Sequence, residues 1–234
     1  MTTLLAVSPH LDDAIFSLGA LLARRAAAGD RIVVATCFTG SVPNPTGFAL
    51  ACQLDKGLAA DVDYMALRRA EDVEACAAIG AEPVHLPLLE APHRGYNSAG
   101  ALFASVRSDD HAAAEVTEQL LPLIASMRPD LILAPYCLGG HVDHVAVRRA
   151  VGAAAHCPLL LWADMPYATR LADLPPDGGA HPCGDWLGAK LTACAAYRSQ
   201  VEFQFGGAPR RDTVTVDAAE WLWLAQASDR RAAA

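Results

Sequence analysis

Two short runs of ionisable residues contain the side chains that could perform chemistry. The first run is PHLDD at residues 9–13, and the second is GGHVDH at residues 139–144. Imidazole and carboxylate groups bind Zn²⁺, and a catalytic zinc site uses three such ligands and keeps a fourth position for water. A nearby carboxylate that does not bind the ion can accept a proton from that water. These residue types therefore indicate metal-assisted hydrolysis.

The first run lies between a predicted strand and a predicted helix. Residues 3–7 are apolar and β-prone, whereas Ile15, Leu18 and Leu22 recur with the period of a half-buried helix. Open α/β sheets bind ligands beyond the carboxyl ends of their strands, which is where this corner falls. The alternative is that one of the two aspartates only caps the helix and His10 is a surface residue.

The second run occupies the same kind of position later in the chain. Residues 131–134 form a predicted strand, after which His141, Asp143 and His144 open a predicted helix that extends to about Ala155. If the two strands are neighbours at a topological switch point of the sheet, residues of both corners meet in space.

In that arrangement His10, Asp13 and His144 supply two imidazoles and one carboxylate, the ligand set of an open zinc site. We expect Zn²⁺ there, although the same ligands also suit Fe²⁺. Asp12 is then free to act as the general base.

The remaining side chains of the second corner have candidate roles as well. His141 would stabilise an oxyanion or protonate the leaving amine, and Asp143 would steady its ring.

The rest of the chain predicts one α/β domain that spans residues 1–234. Strands alternate with helices, which favours a Rossmann-like fold with a mainly parallel sheet flanked by helices. The glycine fingerprint GxGxxG is missing from the first corner, so we exclude a nicotinamide or flavin enzyme. The further predicted strands are residues 31–37, 84–88, 159–162 and, late in the chain, 213–216.

Two long segments, residues 39–63 and 90–108, are predicted to be loops at the rim that contains the corners. Such loops serve function or are tolerated insertions, and both readings stay open.

Composition excludes several classes of protein. The net charge of −8 argues against a nucleic-acid partner, because such proteins cluster Lys and Arg against phosphates. No apolar run reaches the ~18 residues that span a bilayer, and the first residues lack a secretory pattern, so we expect a cytoplasmic protein with no membrane partner. The seven cysteines are scattered, which indicates reduced thiols; Cys137 is either a reactive thiol or a packing residue.

At both corners the sequence resembles the LmbE-like, or PIG-L, family of zinc-dependent N-deacetylases. The family's HPDD and HPDH motifs are matched by HLDD at residues 10–13 and HVDH at residues 141–144. Three further motifs, RxxE, DxPY and YxSQ, are matched at residues 68–71, 164–167 and 197–200. The resemblance implies a Rossmann-like fold and hydrolysis of an acetamide by metal-bound water.

By position, the resemblance implies the same roles as the residues themselves: His10, Asp13 and His144 as ligands, Asp12 as base, His141 as acid or oxyanion partner, and Asp143 as its modulator.

It also implies that Arg68 contacts substrate, with a solvated helix face as the alternative. Leu11 and Val142 replace the usual prolines, and Ala14 replaces a frequent glutamate, which leaves the substrate class open.

Three hypotheses on function remain. The leading one is removal of an N-acetyl group from a small molecule, either an amino sugar or a specialised-metabolite intermediate. The second is an amidase that cleaves a larger acyl group or a thiol conjugate. The third is a metal-holding carbohydrate-binding module, which would have no use for Asp12 and His141. The oligomeric state is not predicted.

Overall fold

A seven-stranded sheet forms the centre of the protein in the computed structural model, which describes residues 1–226. Residues 227–234 of the predicted domain lie outside the described residues. The strand order is β3-β2-β1-β4-β5-β7-β6. The first five strands in this order are parallel to one another, and β7 pairs antiparallel with both of its neighbours, β5 and β6. The mainly parallel sheet is confirmed. The strands are β1 (Thr3–Ser8), β2 (Arg31–Thr36), β3 (Glu82–His85), β4 (Leu131–Pro135), β5 (Leu159–Trp162), β6 (Gly179–Pro182) and β7 (Ala219–Leu224).

Helices cover the sheet. Because β1 leads through the first helix to β2 and β4 leads through the sixth to β5 in the opposite direction, right-handed crossovers place these two helices on opposite faces. The helices are α1 (Asp13–Ala27), α2 (Gly47–Leu54), α3 (Tyr64–Ala78), α4 (Ala99–Leu102), α5 (Ala112–Met127), α6 (Val142–Ala154), α7 (Leu187–Ala196), α8 (Arg198–Phe205) and α9 (Arg211–Val214). On one side α1, α3 and α7 pack together, and α5 packs against α6.

The neighbouring position of β1 and β4 determines where the two ionisable corners lie. Both strands are almost continuously buried, as expected for parallel strands covered on both faces. Leu4 and Leu5 pair with Leu131 and Ile132, so both strands end at the same edge of the sheet. The chain then leaves them in opposite directions, which makes this edge the topological switch point that the sequence analysis required.

The predicted strand at residues 213–216 is wrong. The structure places Arg211–Val214 in α9, and the late strands are β6 and β7. The Thr213 hydroxyl accepts a hydrogen bond from the Arg210 N–H at 2.9 Å and donates to the Arg210 carbonyl at 2.8 Å. These local bonds favour a turn of helix over an extended chain, and an alternating pattern of valine and threonine does not reveal them.

The two long rim segments contain helices that the sequence analysis did not predict: residues 39–63 include α2, and residues 90–108 include α4. Within residues 1–226, no helix is both long and apolar enough to cross a bilayer. All seven cysteines are free thiols. Burial raises the pKa of the Cys137 thiol, which favours the packing role over the reactive one.

A buried ion pair holds the middle of α1. The Lys190 ammonium lies 2.7 Å from the Glu220 carboxylate and donates to the Ser17 carbonyl at 3.3 Å. The Glu220 carboxylate also accepts hydrogen bonds from the backbone N–H groups of Ala20 and Leu21 at 2.9 and 2.7 Å. The far half of the sheet thereby fixes the helix that begins at Asp13.

Candidate active site

The first corner is shaped by short hydrogen bonds between its own residues. The Ser8 hydroxyl donates to the His10 carbonyl at 2.7 Å and accepts from the Ala14 N–H at 3.1 Å. The His10 N–H donates to Asp13 Oδ2 at 2.9 Å. The turn after β1 therefore presents the His10 and Asp13 side chains on the same side.

The backbone that precedes the two histidines of the second corner is in the left-handed region at three residues. Cys137, Gly139 and Gly140 all have positive φ, at 72°, 88° and 74°. A Cβ at Gly139 would lie 2.9 Å from the Tyr167 ring, so glycine is required there for space as well as for conformation. The chain then starts α6, with His144 in its first turn.

His10, Asp13 and His144 meet at the end of β1 and β4. Asp13 Oδ2 lies 3.1 Å from His10 Nδ1 and 3.3 Å from His144 Nε2, and all three atoms lie within 4.8 Å of one another. Tetrahedral ligands with the bond lengths of a zinc site are about 3.3 Å apart. The spacing therefore fits a divalent ion.

The hydrogen bonds of the two imidazoles also fit an ion. His144 Nε2 is buried and has no hydrogen-bond partner among the described residues. Its Nδ1 lies 2.7 Å from Asp164 Oδ1, and His10 Nε2 lies 2.9 Å from Asp143 Oδ2. A carboxylate on one ring nitrogen holds the N–H there and leaves the other nitrogen as a lone-pair donor, which is the usual support of metal-binding histidines.

The carboxylate of Asp143 does not bind His141, the ring that it is predicted to steady. Its carboxylate binds His10, the Ala91 N–H at 3.1 Å and Arg94 at 2.7 Å. His141 Nδ1 instead accepts the backbone N–H of Asp143 at 3.2 Å. Residues two positions apart at a helix start point in different directions, so adjacency in sequence is misleading here. His10, His141 and Asp143 form a second group that could hold an ion.

Asp12 lies beside Asp13 and is 5% exposed. Burial raises the pKa of its carboxyl to about 7, although Arg68, 3.5 Å away, lowers it. Asp12 is the N-cap residue of α1, but its side chain makes no capping hydrogen bond to the helix, so capping does not account for a carboxylate at this position. A carboxyl with a pKa near neutrality is suited to general base catalysis.

His141 is a neutral ring in this environment, because burial lowers the pKa of its imidazole to about 3. Since Nδ1 accepts the backbone hydrogen bond, the ring proton is on Nε2. The ring is therefore a hydrogen-bond donor beside His10 and His144.

Arg68 is buried, so its solvated-face alternative is wrong. Its guanidinium donates to Glu90 at 2.5 Å and to the Leu11 carbonyl at 3.4 Å, and it lines the cavity. Glu71, the other matched residue of this motif, accepts hydrogen bonds from Ser199 and fixes α8 to α3.

A cavity of about 360 Å³ leads to His10 and Asp13. It is lined by His10, Asp12, Asp13, His141 and Asp143, and by residues of both long rim segments. The rings of Phe103 and Tyr167 pack against His141 and His144 and against each other, with centroids 5.2 to 5.7 Å apart. The rim segments therefore form the walls of this cavity.

Sequence reasoning missed the site roles of Asp164, Glu90 and Arg94. Asp164 is the first residue of the DxPY motif, and its two carboxylate oxygens bind His144 and the Leu138 N–H. Its place directly after β5, next to β4 in the sheet, was a usable signal. Glu90 and Arg94 lie in an irregular segment, where no periodicity indicates what a side chain contacts.

Comparisons with known proteins agree on one family. The model of the family PIG-L, described as GlcNAc-PI de-N-acetylase, matches residues 5–155. A 2'-N-acetylparomamine deacetylase from Streptomyces fradiae is 38% identical over 170 residues, which cover 70% of this chain and 57% of the relative. A 1D-myo-inositol 2-acetamido-2-deoxy-alpha-D-glucopyranoside deacetylase from Corynebacterium glutamicum is 30% identical over 161 residues, which cover 68% and 54%. The chain thus spans about half the length of these curated relatives.

Solved structures match over more of their length. A deacetylase of the teicoplanin biosynthesis pathway has a TM-score of 0.81 at 28% identity, covering 95% of this chain and 97% of that one. Teicoplanin deacetylase Orf2, in a zinc-inhibited form, has a TM-score of 0.80 at 27% identity, with coverages of 95% and 97%. The A40926 pseudoaglycone deacetylase Dbv21 has a TM-score of 0.73 at 32% identity, with coverages of 86% and 83%.

The ligand set predicts that His144→Ala empties the metal site. Removing one of three protein ligands should leave an ion that dialyses away, whereas the unchanged protein should hold one ion per chain. Metal analysis after dialysis measures this. His93→Ala is the control, because His93 lines the same cavity outside both groups of potential ligands. Full occupancy in His144→Ala would exclude His144 as a ligand.

Proposed function

The chain belongs to the PIG-L family of de-N-acetylases, and on that premise we propose that it removes an N-acetyl group from an amino-sugar unit of a small molecule, such as a specialised-metabolite intermediate. The observation that carries the proposal is the meeting of His10, Asp13 and His144 beside a cavity that His10, Asp13 and Asp12 line. The relatives' names support it, since both curated relatives are deacetylases named for an N-acetylated amino compound.

A divalent ion would be held by His10, Asp13 and His144, with zinc as the expected ion. When bound, such an ion acts as a Lewis acid that polarises a carbonyl and lowers the pKa of water. Asp164 and Asp143 orient the two imidazoles toward it.

Asp12 supplies the proton acceptor of the reaction. Its carboxylate lies next to the ligand Asp13 and borders the cavity without belonging to the ligand set. From there it takes the proton of the attacking water. Arg68, 3.5 Å away, favours the ionised form that can accept a proton.

His141 stabilises the negative charge that develops on the acetamide oxygen. Its Nε2–H is the free donor of the ring, because Nδ1 is occupied by the backbone N–H of Asp143. Of the two roles predicted for His141, oxyanion stabilisation is the one that this hydrogen bond favours.

The cavity size favours a small acyl group. The rings of Phe103 and Tyr167 line the cavity with apolar surface, and its volume of about 360 Å³ must also hold the sugar. Cavities for drug-sized ligands range from about 300 to 1,000 Å³, so this one is at the small end. These features weigh against the amidase for larger acyl groups. The carbohydrate-binding module leaves the buried Asp12 and the Nε2–H of His141 without a role.

Asp12→Asn should keep the ion and lose turnover. The amide cannot accept the proton, and a positioned general base contributes ~10²- to 10⁴-fold to kcat. Acetate release from N-acetylated amino sugars, measured alongside metal content, tests this, with KM largely unchanged. Asp13→Asn is the matched variant at the adjacent position, and it should lose affinity for the ion. Near-normal turnover in Asp12→Asn would remove Asp12 from the mechanism.

His141→Ala should retain the ion and lose ~10²- to 10³-fold in kcat, the usual cost of one oxyanion donor. His141→Gln, whose amide can offer an N–H, should recover part of that loss. Steady-state kinetics and metal content check both variants. If glutamine is no better than alanine, hydrogen-bond donation is not what His141 contributes.

Acyl-group preference distinguishes the deacetylase from the amidase. On one amino sugar carrying N-acetyl, N-butanoyl or N-octanoyl groups, kcat/KM should fall as the chain lengthens, because the cavity of about 360 Å³ must hold the sugar as well as the acyl group. A rise toward octanoyl would favour the amidase. Ion binding without turnover of any of the three would favour the binding module.

A further inference from the structure

Arg94 lies on the second rim segment but directs its guanidinium away from the cavity wall, into a buried network. Its Nε and Nη2 each donate to the Asp110 carboxylate at 3.1 Å, and Nη2 also lies 2.7 Å from Asp143 Oδ1. Nη1 donates to the Leu89 carbonyl at 2.5 Å, and the guanidinium stacks over the Phe38 ring at 4.8 Å from its centroid. The guanidinium of Arg94 is thus bound by two carboxylates and one backbone carbonyl.

The Asp143 carboxylate is the link from Arg94 to the metal site. It is fully buried, with Oδ1 on Arg94 and Oδ2 shared between His10 Nε2 at 2.9 Å and the Ala91 N–H at 3.1 Å. A buried carboxylate needs a cation and saturated hydrogen bonds, and Arg94 supplies the only guanidinium or ammonium among its partners in the described chain. Removal of Arg94 takes away the ion pair on Oδ1 and so loosens the orientation of the carboxylate.

We propose that Arg94 is a positioning residue for the metal site, which it controls by locking Asp143 against His10. The locked carboxylate holds the proton of His10 on Nε2, so that Nδ1 faces Asp13. The inference rests on the proposed ligand set, and it extends that set to a residue with no ligand atom of its own.

The network also joins the cavity wall to the ligand. Tyr96 donates its hydroxyl proton to Asp110 at 2.8 Å and accepts the Arg107 backbone N–H at 3.1 Å, so both ends of the second rim segment are tied to Arg94. Pro92, His93 and Phe103 of this segment line the cavity. The same guanidinium therefore holds both the ring of His10 and the part of the cavity wall that would face the sugar.

Removal of Arg94 should weaken metal binding. Partners that orient a metal-binding imidazole typically contribute 10- to 100-fold to metal affinity, so Arg94→Gln should raise the Kd for Zn²⁺ by about that factor. The Kd is measured on metal-stripped protein by competition with a chromophoric chelator, which needs no substrate. Thermal unfolding in EDTA reports whether the metal-free fold is intact.

Arg107→Gln is the matched control. Arg107 belongs to the same segment and makes the same two-pronged pair, with Asp109 at 2.9 and 2.7 Å, but in solvent and without contact to Asp143. Its Kd should equal that of the unchanged protein. Arg94→Lys, which keeps the charge but not the fork, should bind more weakly than the unchanged protein. It also carries the test if Arg94→Gln does not fold.

A double variant shows whether Arg94 acts through Asp143. If it does, adding Arg94→Gln to Asp143→Asn changes the Kd little beyond Asp143→Asn alone. If Arg94→Gln binds Zn²⁺ as tightly as Arg107→Gln does, the inference is overturned and the proposed site stays intact. Where Arg94→Gln does not fold, the same comparison is made with Arg94→Lys. Additive losses in the double variant also overturn it. If the unchanged protein binds no Zn²⁺, the proposed site fails and this inference fails with it.

Discussion

The candidate site depends on one contact, the approach of both histidines to a single carboxylate oxygen of Asp13. His10 Nδ1 and His144 Nε2 lie 3.1 and 3.3 Å from Asp13 Oδ2, although the two histidines are far apart in the chain. Only the adjacency of β1 and β4, with the chain leaving them in opposite directions, brings the two corners to one crevice. The rest of the fold maintains that adjacency. The buried pair of Lys190 and Glu220 holds α1, which begins at Asp13.

Each imidazole is oriented by a carboxylate from a different part of the chain. Asp164, after β5, holds His144, and Asp143, in α6, holds His10. Buried carboxylates are costly unless they are paired and hydrogen-bonded, and both of these are: Asp143 binds Arg94 and His10, and Asp164 binds His144. Their arrangement leaves one lone pair on each ring facing Asp13. Two imidazole nitrogens that converge on one carboxylate oxygen suit the binding of a cation.

The positions of both corners were predictable from the sequence, because at each of them a strand pattern ends and a helix pattern begins at the ionisable residues. The family membership and the mainly parallel sheet are confirmed. The partner of Asp143 was not predictable in this way, since its contacts with His10 and Arg94 join residues distant in sequence. The turn at Arg211–Val214 was missed for a local reason, because threonine hydroxyls there bond to the backbone.

The most direct test of this account is a crystal structure of the zinc-loaded protein, with the ion located by its anomalous scattering. The account predicts one ion within about 2.0–2.2 Å of His10 Nδ1, one oxygen of Asp13 and His144 Nε2, with bond lengths typical of zinc sites. His10 Nε2 should stay on Asp143. An ion bound instead by His10, His141 and Asp143, the second group that the fold brings together, would contradict the ligand set and the roles derived from it.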